Sequence, residues 1–490
     1  MARPNIIVIL CDDLGWADLS CYGSTFHETP RLDQMAAEGM RCTDAYAASP
    51  VCSPTRASLL SGQYPARVGI TNYIPGNAAG RVLGPAFRHD LPHDLPTLPS
   101  LLRDAGYRTL HVGKWHLGEA DKGHAPTDHG FDVNVGGCAW GHPRKGFFSP
   151  YELPAEANLP DGPDGEYLTD RITDEAINLV RDAAGRDEPF FLHLAHYAVH
   201  TPIQAPADLV EKYEQKARDL GLDTRDPFEP GEPHPCLHKL DQPVMRRLFQ
   251  SDPTYAAMVE NLDTNVGRLL DALVDLGIDD GTLVLFTSDN GGLATSEGSP
   301  TCNAPLSEGK GWSSEGGLRE PFIARWPARI ASGQTSDATL TTPDLLPTFL
   351  AAADVEVPDE VVLDGESCLS LLTSGAQSSL DDRPIYFHYP HYSNQGGGPA
   401  SAVRRGRWKL VEHLDNHTGY ELYDLEADIG ETTNLAEREP ERVAELQALI
   451  DTWRDEVDAA MPTPNPHYDA ILQGRARANG SGKITFVDDD

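Results

Sequence analysis

The apolar run NIIVIL, residues 5–10, passes without a break into the acidic CDD. Uninterrupted β-branched and aliphatic residues of this length describe a strand buried on both faces, and the acidic pair after it describes a polar loop at the strand's exit. The same unit recurs. A helix is expected over Leu98–Ala105, and the strand Arg108–Val112 then runs into GKWHLG. Pro189–His196 reads as a strand ending in HYAVHTP, and Thr282–Thr287 as one ending in SDNGG. Tyr255, Met258, Val259, Leu262, Val266, Leu269, Leu270 and Leu273 mark the helix before that last strand by their 3–4 spacing. Buried strands alternating with helices predict an α/β fold, a large, helix-covered, mostly parallel mixed sheet.

The 490 residues allow one large domain with an accessory, or two to three domains. Proline and glycine crowd residues 158–165 and 226–235, which read as long surface insertions. A Ser-rich stretch at 373–382 is the better boundary. It divides the chain into a catalytic α/β domain, 1–375, and a small C-terminal domain, 376–490. In the latter, IYFHY, WKLVEHL and YELYDL predict antiparallel strands, Glu439–Val457 a closing helix, and the remainder a tail.

Lys plus Arg number 39 against 75 Asp plus Glu, a formal charge of −36, which excludes a nucleic-acid binder. No apolar run approaches the ~20 residues of a membrane span. Met1 stands too close to the first strand for a cleavable leader, so either the protein stays inside the cell or a leader has been removed; localisation stays open between the two. Eight Cys without a CxxC pair suggest neither a disulfide scaffold nor a zinc ribbon.

Asp12 with Asp13, and Asp289 with Asn290, stand at two strand exits almost 280 residues apart. Each pair alone suits a turn or a helix cap. Together they offer hard oxygen donors where open α/β sheets gather functional groups, a ligand set for Ca²⁺ or Mg²⁺. Lys114 and His116 lie past another strand, and His196 and His200 flank the end of a further one. Lysine is scarce, nine in all, yet Lys114 and Lys310 both fall in glycine-bounded loops. Cations beside a carboxylate metal site suit an anionic substrate whose leaving oxygen must be protonated. Cys52 opens CSPTRASLLSG, and if a helix starts there Arg56 faces it one turn on. Spacing alone leaves Cys52 as either a buried structural residue or a thiolate nucleophile.

CSPTRASLLSGQYPAR resembles the CxPxR motif of the type I, formylglycine-dependent sulfatases of the alkaline phosphatase superfamily. ILCDD, GKWHLG, SDNGG and GKGWSSEGGLREP resemble that family's other motifs in the right order, over residues 4 to about 435. The resemblance implies an alkaline-phosphatase-type α/β domain with a small second domain, and a sulfuric ester hydrolase. It implies that a formylglycine-generating maturation enzyme oxidises Cys52 to formylglycine, whose hydrate attacks sulfur through one hydroxyl and releases sulfate when the other is deprotonated. It gives Asp12, Asp13, Asp289, Asn290 and the converted Cys52 as Ca²⁺ ligands. Arg56 and Lys114 would stabilise the hydrate, His116 would hold or deprotonate its second hydroxyl, and His200 and Lys310 would bind sulfate and protonate the leaving oxygen. His196 departs from that role, because the family's histidine stands where His200 does, directly before ThrPro. Glu315, Gly316, Gly317, Arg319 and Pro321 complete the Lys310 motif and are expected to shape its loop.

The expected substrate is a sulfated carbohydrate, held partly by HYPHYSNQGGG, residues 388–398, where His388, His391 and Asn394 suit sugar recognition. The rival readings are a phosphonate monoester or phosphodiester hydrolase on the same scaffold, and a catalytically silent sulfoglycan-binding protein.

Overall fold

The computed structural model describes residues 3–76, 78–186, 188–415, 419–474, 476–480 and 482–486. A nine-stranded sheet forms its centre. Its strands in chain order are β1 (Asn5–Cys11), β2 (Met40–Tyr46), β3 (Arg108–Gly113), β4 (Val133–Val135), β5 (Phe190–Ala195), β6 (Thr282–Ser288), β7 (Arg319–Arg325), β8 (Gln334–Ser336) and β9 (Leu340–Thr341). Across the sheet they run β8-β2-β7-β6-β1-β5-β3-β4, with β9 also on β2. All pairings are parallel except those of β7 with β2 and β6.

Period-two alternation along β1 explains the three layers. Ile7 and Ile9 join one core with α1 (Pro30–Glu38), α4 (Leu168–Ala184) and α5 (Pro253–Asp275). Ile6, Val8 and Leu10 join the other with α2 (Cys52–Ser61), α3 (Leu98–Asp104) and α6 (Leu345–Ala352). Both faces of β1 are therefore covered, which is why its sequence lacks polar alternation.

Register carries the functional consequence. Cys11 pairs with Ser288, Leu10 with Ala195, and Ala195 with Gly113. Strands β1, β3, β5 and β6 thus end at one level, and the residues that follow them, Asp12, Lys114, His196 and Asp289, emerge side by side.

The C-terminal part forms a four-stranded antiparallel sheet of β10 (Ile385–Tyr389), β11 (Ala400–Arg405), β12 (Trp408–His413) and β13 (Tyr420–Asp424). One face meets Tyr46 and Leu318 of the large sheet region. The other is closed by α7 (Pro440–Glu456) through Leu446 and Ile450. The chain then returns, pairing Thr463–Pro464 with Val82–Leu83. Strands β2, β4, β7, β8, β9 and β11 have no counterpart in the sequence reading; MRCTDAY and REPFIAR mix charged and apolar residues and show neither period cleanly. Residues 226–235, read as an irregular insertion, hold one arm of a hairpin, Phe228–Pro233 paired with Pro243–Arg247.

Candidate active site

The aligned strand ends build the floor. Asp12, Asp13, Asp289 and Asn290 are all buried. Asp13 takes a positive φ of 61°, which turns its side chain back toward Asn290, whose Nδ2 donates to Asp13 Oδ1 at 2.8 Å. Three cations face the three carboxylates. Lys114 Nζ lies 2.7 Å from Asp12 Oδ2, Arg56 Nε donates to Asp289 Oδ2 at 2.8 Å, and Lys310 Nζ lies 2.7 Å from Asp13 Oδ2. Burial and the carboxylates of Asp289 and Asp13 push Asp12 up, against the pull of Lys114. Burial also opposes ionisation of Asp13, yet His200, Lys310, Lys114 and the Asn290 hydrogen bond together hold it below the usual carboxylate range. Burial opposes the charge of Lys310, and the carboxylates of Asp13 and Glu297 overcome it, raising Lys310 above the ordinary lysine value.

Two buried oxygens here, Asp12 Oδ1 and Asn290 Oδ1, accept no hydrogen bond from the protein. Ligand atoms of Asp12, Asp13 and His200 lie within 4.8 Å of one another. Carboxylate and amide oxygens with spare lone pairs fit a hard divalent cation such as Ca²⁺.

Cys52 is the first residue of α2, so its side chain and that of Arg56, one turn on, share a face of the helix over the carboxylates. Cys52 Sγ lies 3.3 Å from His116 Nδ1. The other ring nitrogen, Nε2, is 2.6 Å from the carbonyl oxygen of Ile74 and must donate to it. That bond fixes the tautomer: Nδ1 of a neutral His116 is an acceptor aimed at position 52. Burial, followed by the charge of Lys114, lowers His116 well below the ordinary imidazole range. Burial pushes the Cys52 thiol up, against the pull of Lys114 and Lys310, which opposes ionisation to a thiolate.

His200 lines the same cavity as Cys52. Its Nδ1 is 3.0 Å from the Thr201 carbonyl oxygen, leaving Nε2 to accept from Lys310 Nζ at 3.0 Å. Burial, partly offset by Asp13, lowers His200 as well. His142 stacks on it, ring centroids 5.7 Å apart. His196 is fully buried at the strand end with neither ring nitrogen hydrogen-bonded, and it does not line the cavity.

A cavity of about 490 Å³ opens above Cys52, His116, His200 and Lys310. The floor, with a helix-borne Cys, paired carboxylates and a Lys–His couple under an open cavity, can be placed against known proteins. A family model described as Sulfatase matches residues 4–355, and one described as N-sulphoglucosamine sulphohydrolase, C-terminal, matches residues 309–456. The chain belongs to the sulfatase family. N-acetylgalactosamine-6-sulfatase of Mus musculus is 32% identical to it, over 97% of this chain and 88% of that protein. Arylsulfatase A of Homo sapiens is 32% identical, over 94% and 89%. The solved structure of Ps i-CgsB in complex with k-i-k-neocarrahexaose is 28% identical and superposes with a TM-score of 0.74, covering 96% of this chain and 97% of that one.

The sulfatase's rim departs from the sequence reading in one respect. His388 and His391 were expected in the substrate site, but neither lines the cavity. His388 sits on β10 between Ser401 Oγ, at 2.8 Å, and the Ala460 carbonyl oxygen, at 3.0 Å. His391 Nε2 bonds Thr71 Oγ1 at 2.8 Å with its ring against Phe87. Both faces of β10 are covered, so a polar residue there finds an internal partner instead of a ligand. Asn394 does reach the cavity, its Nδ2 donating to Tyr73 Oη at 2.9 Å while Oδ1 has no partner. Gln395, Tyr73, Glu297, His142 and Arg144 line it too. Gln395 belongs to the 388–398 segment that the sequence singled out, whereas Tyr73, Glu297, His142 and Arg144 come from loops without motif or periodicity, and the sequence offered no signal for them.

Glu315 is buried behind the Lys310 loop, accepting from Lys409 at 3.0 Å, Arg319 at 2.7 Å and Tyr46 at 2.7 Å. It ties that loop to the C-terminal sheet. Among the described residues, no helix is long and apolar enough to cross a membrane.

Proposed function

We propose that this sulfatase hydrolyses sulfate esters of carbohydrates, using formylglycine made from Cys52 and a Ca²⁺ ion held by Asp12, Asp13, Asp289 and Asn290. The observation that carries the reading is the acceptor Nδ1 of His116, 3.3 Å from Cys52 Sγ at the floor of the cavity. Converted to the hydrated aldehyde, position 52 would supply one hydroxyl as nucleophile and a second whose deprotonation returns the aldehyde. His116 stands as base for that second hydroxyl, kept neutral by burial and fixed in tautomer by the Ile74 carbonyl. Bound Ca²⁺ would polarise the sulfate and favour the ionised nucleophile. Arg56 and Lys114 hold the carboxylates that would ligate it. Lys310 offers a proton on the far side, relayed through or shared with His200 Nε2, where a leaving alkoxide must be neutralised. Support for a carbohydrate comes from a relative named N-acetylgalactosamine-6-sulfatase and a solved structure in complex with a neocarrahexaose, and from the Asn394 and Gln395 amides in the cavity wall.

Peptide mass spectrometry on protein made with a formylglycine-generating enzyme tests the nucleophile. Formylglycine is expected at position 52; unmodified thiol in a fully active preparation would refute it. Metal analysis is expected to return calcium, and stoichiometric zinc would contradict the donor assignment. Faster turnover of an aryl phosphonate monoester than of the matching aryl sulfate would favour the phosphonate hydrolase instead.

A further inference from the structure

The reaction cavity does not end at its own wall. Glu297 lines it and also lines two further cavities, of about 480 and 310 Å³. The first of these shares Thr201 as well and continues past Pro202 and Ile203. The second lies between the loop Thr295–Ser299 and the hairpin Phe228–Pro233/Pro243–Arg247, the insertion for which the catalytic floor has no use. Glu297 stands at the junction on a turn in which three successive residues, Glu297, Gly298 and Ser299, hold φ of 53°, 91° and 41°. Such φ values are uncommon outside glycine and persist only where surroundings impose them. Gln395 Nε2 donates to Glu297 Oε1 at 2.8 Å, so this exposed carboxylate is tied to the cavity wall.

The hairpin cavity is chemically distinct from the floor. Phe228, Gln242, Thr295, Ser299 and Lys239 bring an aromatic ring, an amide, hydroxyls and an ammonium. His234 is 4% exposed, and its Nδ1 has no hydrogen-bond partner. Burial, with Lys239 and His238 nearby, lowers His234 to about 4, so at neutral pH it offers neutral donor and acceptor chemistry. Asn394 Oδ1, also unpartnered, waits on the reaction-cavity side. The backbone carbonyl of Asn394 accepts from Lys239 Nζ at 2.7 Å, which joins the two walls. An aromatic ring, an amide and a neutral imidazole, beside a Lys239 already held by the Asn394 carbonyl, match a polyhydroxylated ring.

We infer that the cleft between the 228–247 hairpin and the Glu297 turn binds the sugar unit adjoining the sulfated one, with Glu297 accepting hydroxyl hydrogen bonds at the junction. This rests on the carbohydrate reading above. The enzyme then recognises a chain of at least two sugars, and binding energy gathered in the hairpin cleft raises kcat/KM for the longer substrate.

The test compares kcat/KM for 4-nitrophenyl sulfate, a galactose sulfate, and sulfated galactan di- and tetrasaccharides, in the full-length matured enzyme. The tetrasaccharide is expected to exceed the monosaccharide by about tenfold or more. His234→Ala and, as a surface alternative should that variant fold poorly, Gln242→Ala are expected to lower the tetrasaccharide value at least about fivefold more than the nitrophenyl value. Glu297→Gln should do the same for every saccharide, chiefly through KM. Equal kcat/KM for mono- and tetrasaccharide, or parallel losses on all substrates, would overturn the extended cleft while leaving the carbohydrate reading intact. Turnover of nitrophenyl sulfate with none of any sulfated saccharide would overturn both.

Discussion

The floor of the site and its rim are built by opposite means. The floor hangs from the ends of adjacent parallel strands, where register fixes Asp12, Lys114 and Asp289 and every charge meets an opposite one within about 3 Å. The rim is assembled from Tyr73, Glu297 and the Asn394–Gln395 segment, which lie on separate loops joined by single contacts, Asn394 donating to Tyr73 and Gln395 to Glu297. A floor so tightly paired is preorganised for one chemistry, whereas a rim of loops can change its substrate without disturbing that chemistry. Substitutions should therefore split into two classes, floor variants losing kcat on every substrate and rim variants losing only on saccharides.

The sharpest break is expected at the ligand set. Asp289→Ala removes a proposed Ca²⁺ ligand and leaves Arg56 without its 2.8 Å partner, so turnover of nitrophenyl sulfate should fall beyond detection while the circular-dichroism spectrum stays native. Retained calcium and activity in that variant would contradict the floor as drawn. His116→Ala and Lys310→Ala come next, each expected to cost ~10² to 10⁴-fold in kcat on all substrates.

His200→Ala sharpens the comparison, because it stands between floor and substrate. A sugar alkoxide needs a proton more than a nitrophenolate does, so the loss on a sugar sulfate should exceed that on nitrophenyl sulfate. Equal losses would remove His200 from leaving-group protonation.

The smallest effect concerns stability. Burial lowers His388 from 6.5 to about 4 in the folded protein. Between those values the unfolded chain binds the proton that the folded one refuses, so His388 stabilises fully above about 6.5, and that contribution is lost as pH falls toward about 4. The full span is roughly 3 kcal/mol. Urea denaturation at pH 7.5 and 4.5 should show a smaller acid loss in His388→Gln than in the wild type. An identical loss would mean that His388 is not held neutral.

The catalytic floor was legible because its chemistry follows strands. NIIVIL, residues 108–112 and 282–287 announce themselves by composition, and Asp12, Lys114 and Asp289 come directly after them in the chain. Cys52 and Arg56 were legible as a motif, since one helical turn separates them. Strand β7 was not. Its Arg319, Glu320 and Arg325 are buried, and charge in a strand predicts exposure unless the partners are known. Those partners are distant: Asp44 for Arg319, and Glu38 and Asp279 for Arg325.

The sequence alone determined which groups this sulfatase possesses and at which strand ends they emerge, because local periodicity fixes the strands and a motif fixes its own spacing. Only the tertiary structure decided which polar side chains face the substrate. His388 and Asn394 lie in one short segment, yet the first is sealed against Ser401 and Ala460 and the second opens onto the cavity. Which way each turns depends on what packs against that segment from residues 71–73, 297 and 460, and no local pattern encodes a neighbour so far away in the chain.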